Sequence, residues 1–304
     1  MTSHSSEFMK LCFSDEQIRT AAQLLQLPTH AFLGLDGKDP RQTALRTMET
    51  VDIAACPGSG KTTLLVAKLS LLEQNWISRT SGICVLSHTN VARQEVEKRL
   101  GNTTGGRRLL GYPHYIETIH AFVNEFLALP CLRSLGIPIK VIDNERALDR
   151  RWYKLSHAAR SALERRNHGP ATLIIRSADG TVGPVKWGKS ALLGQDTPTY
   201  KEMTKVCRAS VKDGFFCHEE MFVWAHVLLN RAPSVVEALR RRFPIVFMDE
   251  AQDNHEEQAA ILKRPTLCTG CRSNQRRPPP EGALRPMRFG IQIKMSLYRK
   301  PKSC

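Results

Sequence analysis

The chain has 304 residues, 41% of them hydrophobic, which is enough material for one large or two modest packed domains and excludes a wholly disordered polypeptide. Its net charge of +15, with no stretch as long and apolar as a membrane span, points to a polyanionic partner, nucleic acid before membrane. Nine scattered cysteines, an odd number with no signal peptide ahead of them, fit reduced thiols in a cytoplasmic setting, or a nuclear one if the source is eukaryotic.

Residues 1–13 are polar and Ser-rich, a start expected to be disordered. From Ser14, SDEQIRTAAQLLQL reads as an amphipathic helix with Ser14 as N-cap, acidic residues in its first turn, and Ile18, Ala21, Leu24 and Leu25 on one face. The Gly34–Pro40 stretch is a loop, followed by a second helix over Arg41–Met48. Each helix offers an amide that can donate to adenine N7 and accept from its amino group: Gln17, in the better local surroundings, or Gln42, 19 residues before Lys61.

The stretch VDIAACPGSGKTTLL then places an apolar strand, a Gly-rich turn and a leucine-rich helix in that order. Backbone N–H groups of Ala55, Cys56, Pro57, Gly58, Ser59 and Gly60 (proline excepted) would cradle a phosphate, with the helix adding the positive end of its dipole. Lys61 would reach the β- and γ-phosphates of ATP, the Thr62 hydroxyl would hold Mg²⁺, and Thr63 completes the turn. The first glycine of GxxxxGK[ST] is Ala55 here, a residue small enough for the same turn.

A second buried strand, SGICVLS, ends at His88, Thr89 and Asn90, and a helix follows over Val91–Leu100. Polar groups at the carboxyl end of a parallel strand sit on the ligand-facing edge of an open α/β sheet, although Thr89 or Asn90 would serve equally as a helix cap. The run YIETIHAFVNEFLA ends a third strand at Thr118 and places His120 at the head of an apolar helix, where a histidine packs as readily as it binds. Residues 127–239 carry no nucleotide motif and read as an inserted, mostly helical subdomain. It shows helical patterns over Glu145–Arg166 and Ser234–Arg242, a hairpin turning at Asp179-Gly180, and Trp152, Trp187 and Trp224 as packing residues. Residues 240–262 return to the nucleotide-binding body with FPIVFMDEAQD, a β-rich run ending in two carboxylates. Asp249 would bind Mg²⁺ and Glu250 would orient and deprotonate the attacking water, so Lys61 and these acids are expected to converge at neighbouring strand tips.

These blocks make an α/β protein of the P-loop NTPase class, and they resemble superfamily 1 DNA helicases of the UvrD/Rep type. ACPGSGKTT is similar to the family's first motif, LSHTNVARQEVEKRL to its second, ETIHAFVNEFL to its TxHxF segment and MDEAQDNHEEQ to its DExxQD box, all in family order within residues 14–262. The resemblance implies a RecA-like parallel sheet with helices on both faces, formed by residues 14–126 and 240–262. It implies ATP and Mg²⁺ at Gly58, Ser59, Gly60, Lys61, Thr62, Asp249 and Glu250, and Gln252 sensing the γ-phosphate side. It also implies single-stranded or partly duplex DNA at Thr89, Asn90, Thr118 and His120, with His88 a weaker stacking surface where the family often has Phe.

The likeness ends after Leu262, before the family's GDxxQ segment and its second RecA-like domain, which brings the arginines that complete the ATP site. Residues 263–304 hold 11 Lys or Arg against Glu281 alone, leaving a net +5 for everything before them, and read as a disordered basic tail. Cys268, Cys271 and Cys304 are too few for a structural zinc. A DNA-dependent ATPase unable to unwind DNA unless another polypeptide supplies the second half is the expectation. A non-catalytic nucleotide or nucleic-acid binding module is the alternative, and Gln252, Asp253 and the HTN and TIH segments argue against a small-molecule kinase.

Overall fold

The computed structural model describes residues 12–34, 37–48, 51–55, 59–101, 105–177, 181–182, 194–249, 260–262 and 291–297. The chain forms two compact units, one of Met1–Ile119, Glu237–Asn254 and Leu262–Cys304, the other of His120–Val236 and His255–Ile261. The second overlaps the 127–239 insert read from the sequence.

The first unit begins with α1 (Asp15–Leu24), where the Ser14 hydroxyl accepts from the Gln17 N–H and the Gln17 amide oxygen accepts from the Ser14 N–H, at 3.2 and 2.9 Å. Helix α2 (Pro40–Arg46) starts on Pro40, whose missing N–H costs nothing in a first turn, with Asp39 as N-cap. Strand β1 (Val51–Ala55) leads to α3 (Lys61–Gln74). Because Leu64, Leu65, Val66, Ala67, Leu69, Leu71 and Leu72 are apolar all round it, α3 has no solvent face to offer and lies in the core. It packs there with Ile83 and Val85 of β2 (Ile83–Ser87) and Ile245 and Phe247 of β6 (Ile245–Met248). Helix α4 (Asn90–Gly101), the short α5 (Gly106–Leu109) and β3 (Tyr115–Thr118) complete this part of the chain, and the two-residue strands β4 (Val141–Ile142) and β5 (Phe215–Phe216) pair in parallel in the second unit.

The sheet order is β1, β7, β6, β2, β3, with β7 being Ile291–Leu297. Strands β6, β2 and β3 are mutually parallel, and β1 runs the same way because β1 and β6 both pair antiparallel with β7. This is the parallel α/β sheet flanked by helices expected from the motifs, with two corrections. The basic tail is not structureless throughout: IQIKMSL alternates apolar and polar residues, the period of a strand, within an otherwise aperiodic segment. And β1 and β6 are not neighbours, since β7 stands between them. The Cys268 and Cys271 pair and the rest of the tail lie outside the described residues.

The amino edge of the sheet is tied by one cluster. The Gly82 N–H donates to the Arg242 carbonyl at 2.8 Å, the Arg242 guanidinium donates to the Pro113 carbonyl and lies over Tyr112 and Phe243, and the Ile83 N–H donates to His114 Nδ1 at 3.1 Å. A Cβ at residue 82 would sit 1.8 Å from the Pro113 oxygen, so only glycine lets β2 start so close to the segment before β3.

Helix α6 (Ile119–Val123), which belongs to the second unit from His120 on, passes through a π turn, Asn124–Ala128, into α7 (Leu129–Ser134). Pro130 explains the turn, because it has no N–H for the carbonyl four residues back and its ring would strike it. The single helix expected over Glu145–Arg166 is two, α8 (Asn144–Lys154) and α9 (His157–Glu164), because the Ser156 hydroxyl caps a new start. Among the described residues the expected hairpin shows one antiparallel bridge, Ile175 to Val182, and Pro170–Leu173 is a 3₁₀ turn. Asp179, Gly180 and Trp187 lie outside the described residues. Trp152 and Trp224 pack partly buried against the core of this unit, which includes Leu163, Leu173, Met203, Phe216 and Met221.

That core is crossed by a fully buried ion pair between Arg151 of α8 and Glu220, the first residue of α11 (Glu220–Arg231); the unit's other long helix is α10 (Pro198–Lys212). Arg151 also donates to the Leu173 and Phe215 carbonyls at 2.7 and 3.1 Å, while Glu220 accepts from the Ile175 and Cys217 N–H groups, both at 2.9 Å. Burial works against the guanidinium charge, but the Glu220 carboxylate overcomes it and raises the Arg151 pKa. The same burial pushes the Cys207 and Cys217 thiols up to about 12, so both stay protonated.

Removing one member of this pair strands the other. Arg151→Ala should cost about 3–5 kcal/mol in urea denaturation, and replacing both partners with apolar residues of similar volume should cost much less. At the amino edge, burial first and then the charges of Arg242 and Arg108 lower the His114 pKa to about 4. Between pH 6.5 and 4 the unfolded chain takes up a proton that the folded one refuses, so the stability that neutral His114 contributes is lost on acidification through this window. A His114→Asn variant should show a flatter melting temperature against pH there.

Candidate functional site

The described motif residues of the first unit sit at, or lead away from, the carboxyl ends of the parallel strands. The β2–β3 register pairs Leu86 with Glu117 and Ser87 with Thr118, and the β2–β6 register pairs Leu86 with Met248. The Asp249 N–H continues that ladder with a 2.9 Å bond to the Leu86 carbonyl. Through β7, Lys294 faces both Asp52 and Met248, so these two residues lie level, two strand spacings or about 9.6 Å apart. Ala55, three residues further along β1, therefore starts its loop about 10 Å beyond that level. The loop leaving β1 and the acid leaving β6 rise from the same edge, separated by one strand.

The loop closes on Gly60, the N-cap of α3, in the left-handed region at φ +83°. An added Cβ would find space there, with nothing nearer than Thr63 at 3.9 Å, so the constraint is the backbone angle and not crowding. Ser59 is exposed, Thr62 half-buried, and Lys61 and Asp249 are only 5% and 6% exposed. Ions so far from water require compensating partners, as an enclosed phosphate and metal site supplies. Cys56, Pro57, Gly58, Glu250 and Gln252 lie outside the described residues.

For Mg²⁺ the donor chemistry fits: a hydroxyl from Thr62 and a carboxylate from Asp249 are hard oxygens, and magnesium is typically held by one or two protein oxygens with phosphate and water. Among the described residues no cluster of three His, Cys, Asp or Glu side chains forms a protein cage for a metal. No described helix is long and apolar enough to cross a membrane.

The Thr63 hydroxyl is engaged away from the loop, accepting from Arg99 Nη1 of α4 at 2.5 Å, and Arg99 also pairs with Glu95. The two glutamines differ. The Gln17 amide oxygen is held in the α1 capping box, whereas Gln42 donates through Nε2 to the Gly37 carbonyl at 2.6 Å. Of the residues expected to meet nucleic acid, Asn90 and Thr89 are exposed, and the Thr89 hydroxyl accepts from the Ala92 N–H at 3.2 Å, so it does cap the helix. His88 is half-buried, and its Nδ1 finds no hydrogen-bond partner among the described residues. Thr118 closes β3 beside Glu117, which takes two 2.8 Å bonds from Arg93 of α4. In the second unit His120 is half-buried, edge-on to Phe222 with ring centres 5.0 Å apart, so packing is at least part of its role.

Sequence reasoning missed Lys68. Two turns into α3 this residue is 3% exposed, and its ammonium donates to the Leu45 carbonyl and, at 2.7 Å, to the Thr47 carbonyl, and lies 5.0 Å from the Phe13 ring centre. Burial pushes its pKa down to about 7, against the pull of those carbonyls. The available signal was one lysine in the apolar run LLVAKLSLL, a position with no path to solvent.

Residues 37–270 match the sequence model of the UvrD/REP helicase N-terminal domain. Among curated proteins the chain is similar to the ATP-dependent DNA helicase PcrA of Bacillus subtilis, 24% identical over 245 residues that cover 76% of this chain and 31% of PcrA. It is similar to the ATP-dependent DNA helicase UvrD1 of Mycobacterium leprae, 23% identical over 262 residues, 81% of this chain and 32% of that protein. A probable DNA helicase II homolog of Mycoplasma capricolum is 22% identical over 229 residues, 72% of this chain and 31% of that protein. The chain thus spans about a third of the length of the curated relatives it matches.

Gly60→Ala should cost about 1–2 kcal/mol of stability, because a side chain is forced into the left-handed region, with the loss read as a lower urea midpoint.

Proposed function

Because the chain belongs to the UvrD/REP helicase N-terminal domain family, we propose that it binds ATP with Mg²⁺ at the carboxyl edge of its sheet and hydrolyses it when DNA is bound. The observation that supports this reading best is that the phosphate loop after β1, Asp249 after β6 and the polar ends of β2 and β3 all emerge from one edge. Gly58 to Gly60 present backbone N–H groups to the phosphates, and Lys61 neutralises the charge that grows on the γ-phosphoryl oxygens. Thr62 and Asp249 would hold Mg²⁺, which would supply neutralisation of the phosphate charge. Glu250 takes the proton of the attacking water, and Gln252 follows the γ-phosphate end.

The relatives are named as ATP-dependent DNA helicases, and from them we take DNA as the partner, met by His88, Thr89, Asn90, Thr118 and His120. Linkage between the two sites follows from β2 and β3 sharing a sheet with Asp249: a strand resting on Thr118 and Thr89 is one or two strands from the metal acid.

ATP turnover by the purified chain should rise on adding single-stranded DNA. Glu250→Gln should keep ATP binding and lose about 10²- to 10⁴-fold in turnover, while Lys61→Ala should lose both. ATP binding with no turnover at any DNA concentration would instead favour the non-catalytic binding module.

A further inference from the structure

Lys68 stands where α3 meets α2. It projects from α3, the helix whose first residue is Lys61, and its ammonium binds the carbonyls of Leu45 and Thr47 at the carboxyl end of α2, the helix that carries Gln42. A helix end leaves its last carbonyls without intrahelical donors and with a partial negative charge, so a cation is the natural cap. This cation comes from the neighbouring helix and not from α2 itself, which makes the cap a tie between the two.

We infer that Lys68 is a positioning residue that sets Gln42 at a fixed distance from the phosphate loop, so that base recognition by Gln42 depends on the Lys68 bonds to α2. The inference rests on the ATP-site reading above, with Gln42 as the base reader, and goes beyond it in naming Lys68 as the residue that holds the helix carrying Gln42.

Four further observations support it. Gln17 has its amide oxygen committed to the α1 cap, while Gln42 uses only its Nε2 on Gly37 in the bonds described, so its Oε1 is the better placed to accept from an adenine amino group. The amino end of α2 is fixed independently, with Asp39 accepting from the Arg41 N–H at 2.8 Å and pairing with the Arg41 guanidinium. Arg46, in the last turn, pairs with Asp15 of α1. The tie is also dry, since Lys68 is 3% exposed and Leu45 fully buried, so water cannot substitute for the ammonium at Leu45.

Calorimetric binding of ATP, GTP and inorganic tripolyphosphate, each with Mg²⁺, to the full chain tests this without relying on turnover. Wild type should bind ATP more tightly than GTP. Lys68→Met should weaken ATP about tenfold and leave GTP and tripolyphosphate within about twofold, the size expected when one base hydrogen bond is lost. Lys68→Arg should restore most of the ATP affinity, Gln42→Ala should reproduce the Lys68→Met loss, and the double variant should be no weaker than either single one. Equal weakening of all three ligands, or ATP affinity indifferent to Lys68→Met, overturns the inference while leaving the ATP site intact. Should Lys68→Met fail to fold, Gln42→Ala and Lys68→Arg still decide it, because base preference unchanged in Gln42→Ala, or lost in Lys68→Arg, overturns it as well. No heat from wild type with ATP or tripolyphosphate overturns the nucleotide-site reading, and this inference with it.

Discussion

The register of β2 between β6 and β3 is the constraint on which the candidate site depends. Side chains alternate faces along a strand, so a slip of one residue would turn Ser87 and Thr118 over and move Asp249 off the Leu86 carbonyl. The carboxyl ends carry the polar motif residues and cannot set that register by apolar packing. It is set by the buried apolar residues Ile83, Val85, Ile116, Ile245 and Phe247 and by the opposite edge, where Gly82, Arg242, Pro113 and His114 are bound together. Gly82 allows the close approach, and Arg242 and His114 supply the donors and acceptors that neighbouring strands do not. A site built from three separate chain segments therefore owes part of its alignment to residues at the far end of the sheet.

Buried charge is the second recurring theme, and each instance joins segments far apart in sequence. Lys68 ties α3 to α2, Arg151 and Glu220 tie α8 to α11, and Glu73 of α3 pairs with Arg108 of α5 at 3.0 Å. An ion taken from water is costly unless its partners are in place, so such groups penalise misplacement more sharply than apolar contacts do. In α3 this matters directly: a helix apolar on every face could rotate or slide within its core, and Lys68 and Glu73 remove that freedom.

Gln17 and Gln42 show how local bonding separates residues that look alike in sequence. Both lie near the start of a short helix ahead of the phosphate loop. Ser14 lies three residues before Gln17 and closes a capping box with it, while the loop at Gly37 holds only the amino group of Gln42. Thr63 is a similar case, since its hydroxyl is oriented by Arg99 and not by the loop it follows.

Wherever the chemistry is local, the residues alone were enough. The left-handed Gly60 before Lys61, the β-rich run ending at Asp249, the Ser14 cap and the strands ending at Ser87 and Thr118 are legible because backbone angle, hydrophobic period and side-chain donors act within a few residues. The family followed from the same four blocks. What the tertiary structure decided is everything that needs two distant segments to meet: the single strand between β1 and β6, drawn from a tail whose seven alternating residues were masked by their basic surroundings; the division of one expected helix at Ser156; the burial of Lys68 and Arg151 on partners 21 to 69 residues away. A lysine's place in a sequence carries no record of which carbonyls will lie beside it, because that is fixed only when the helices pack.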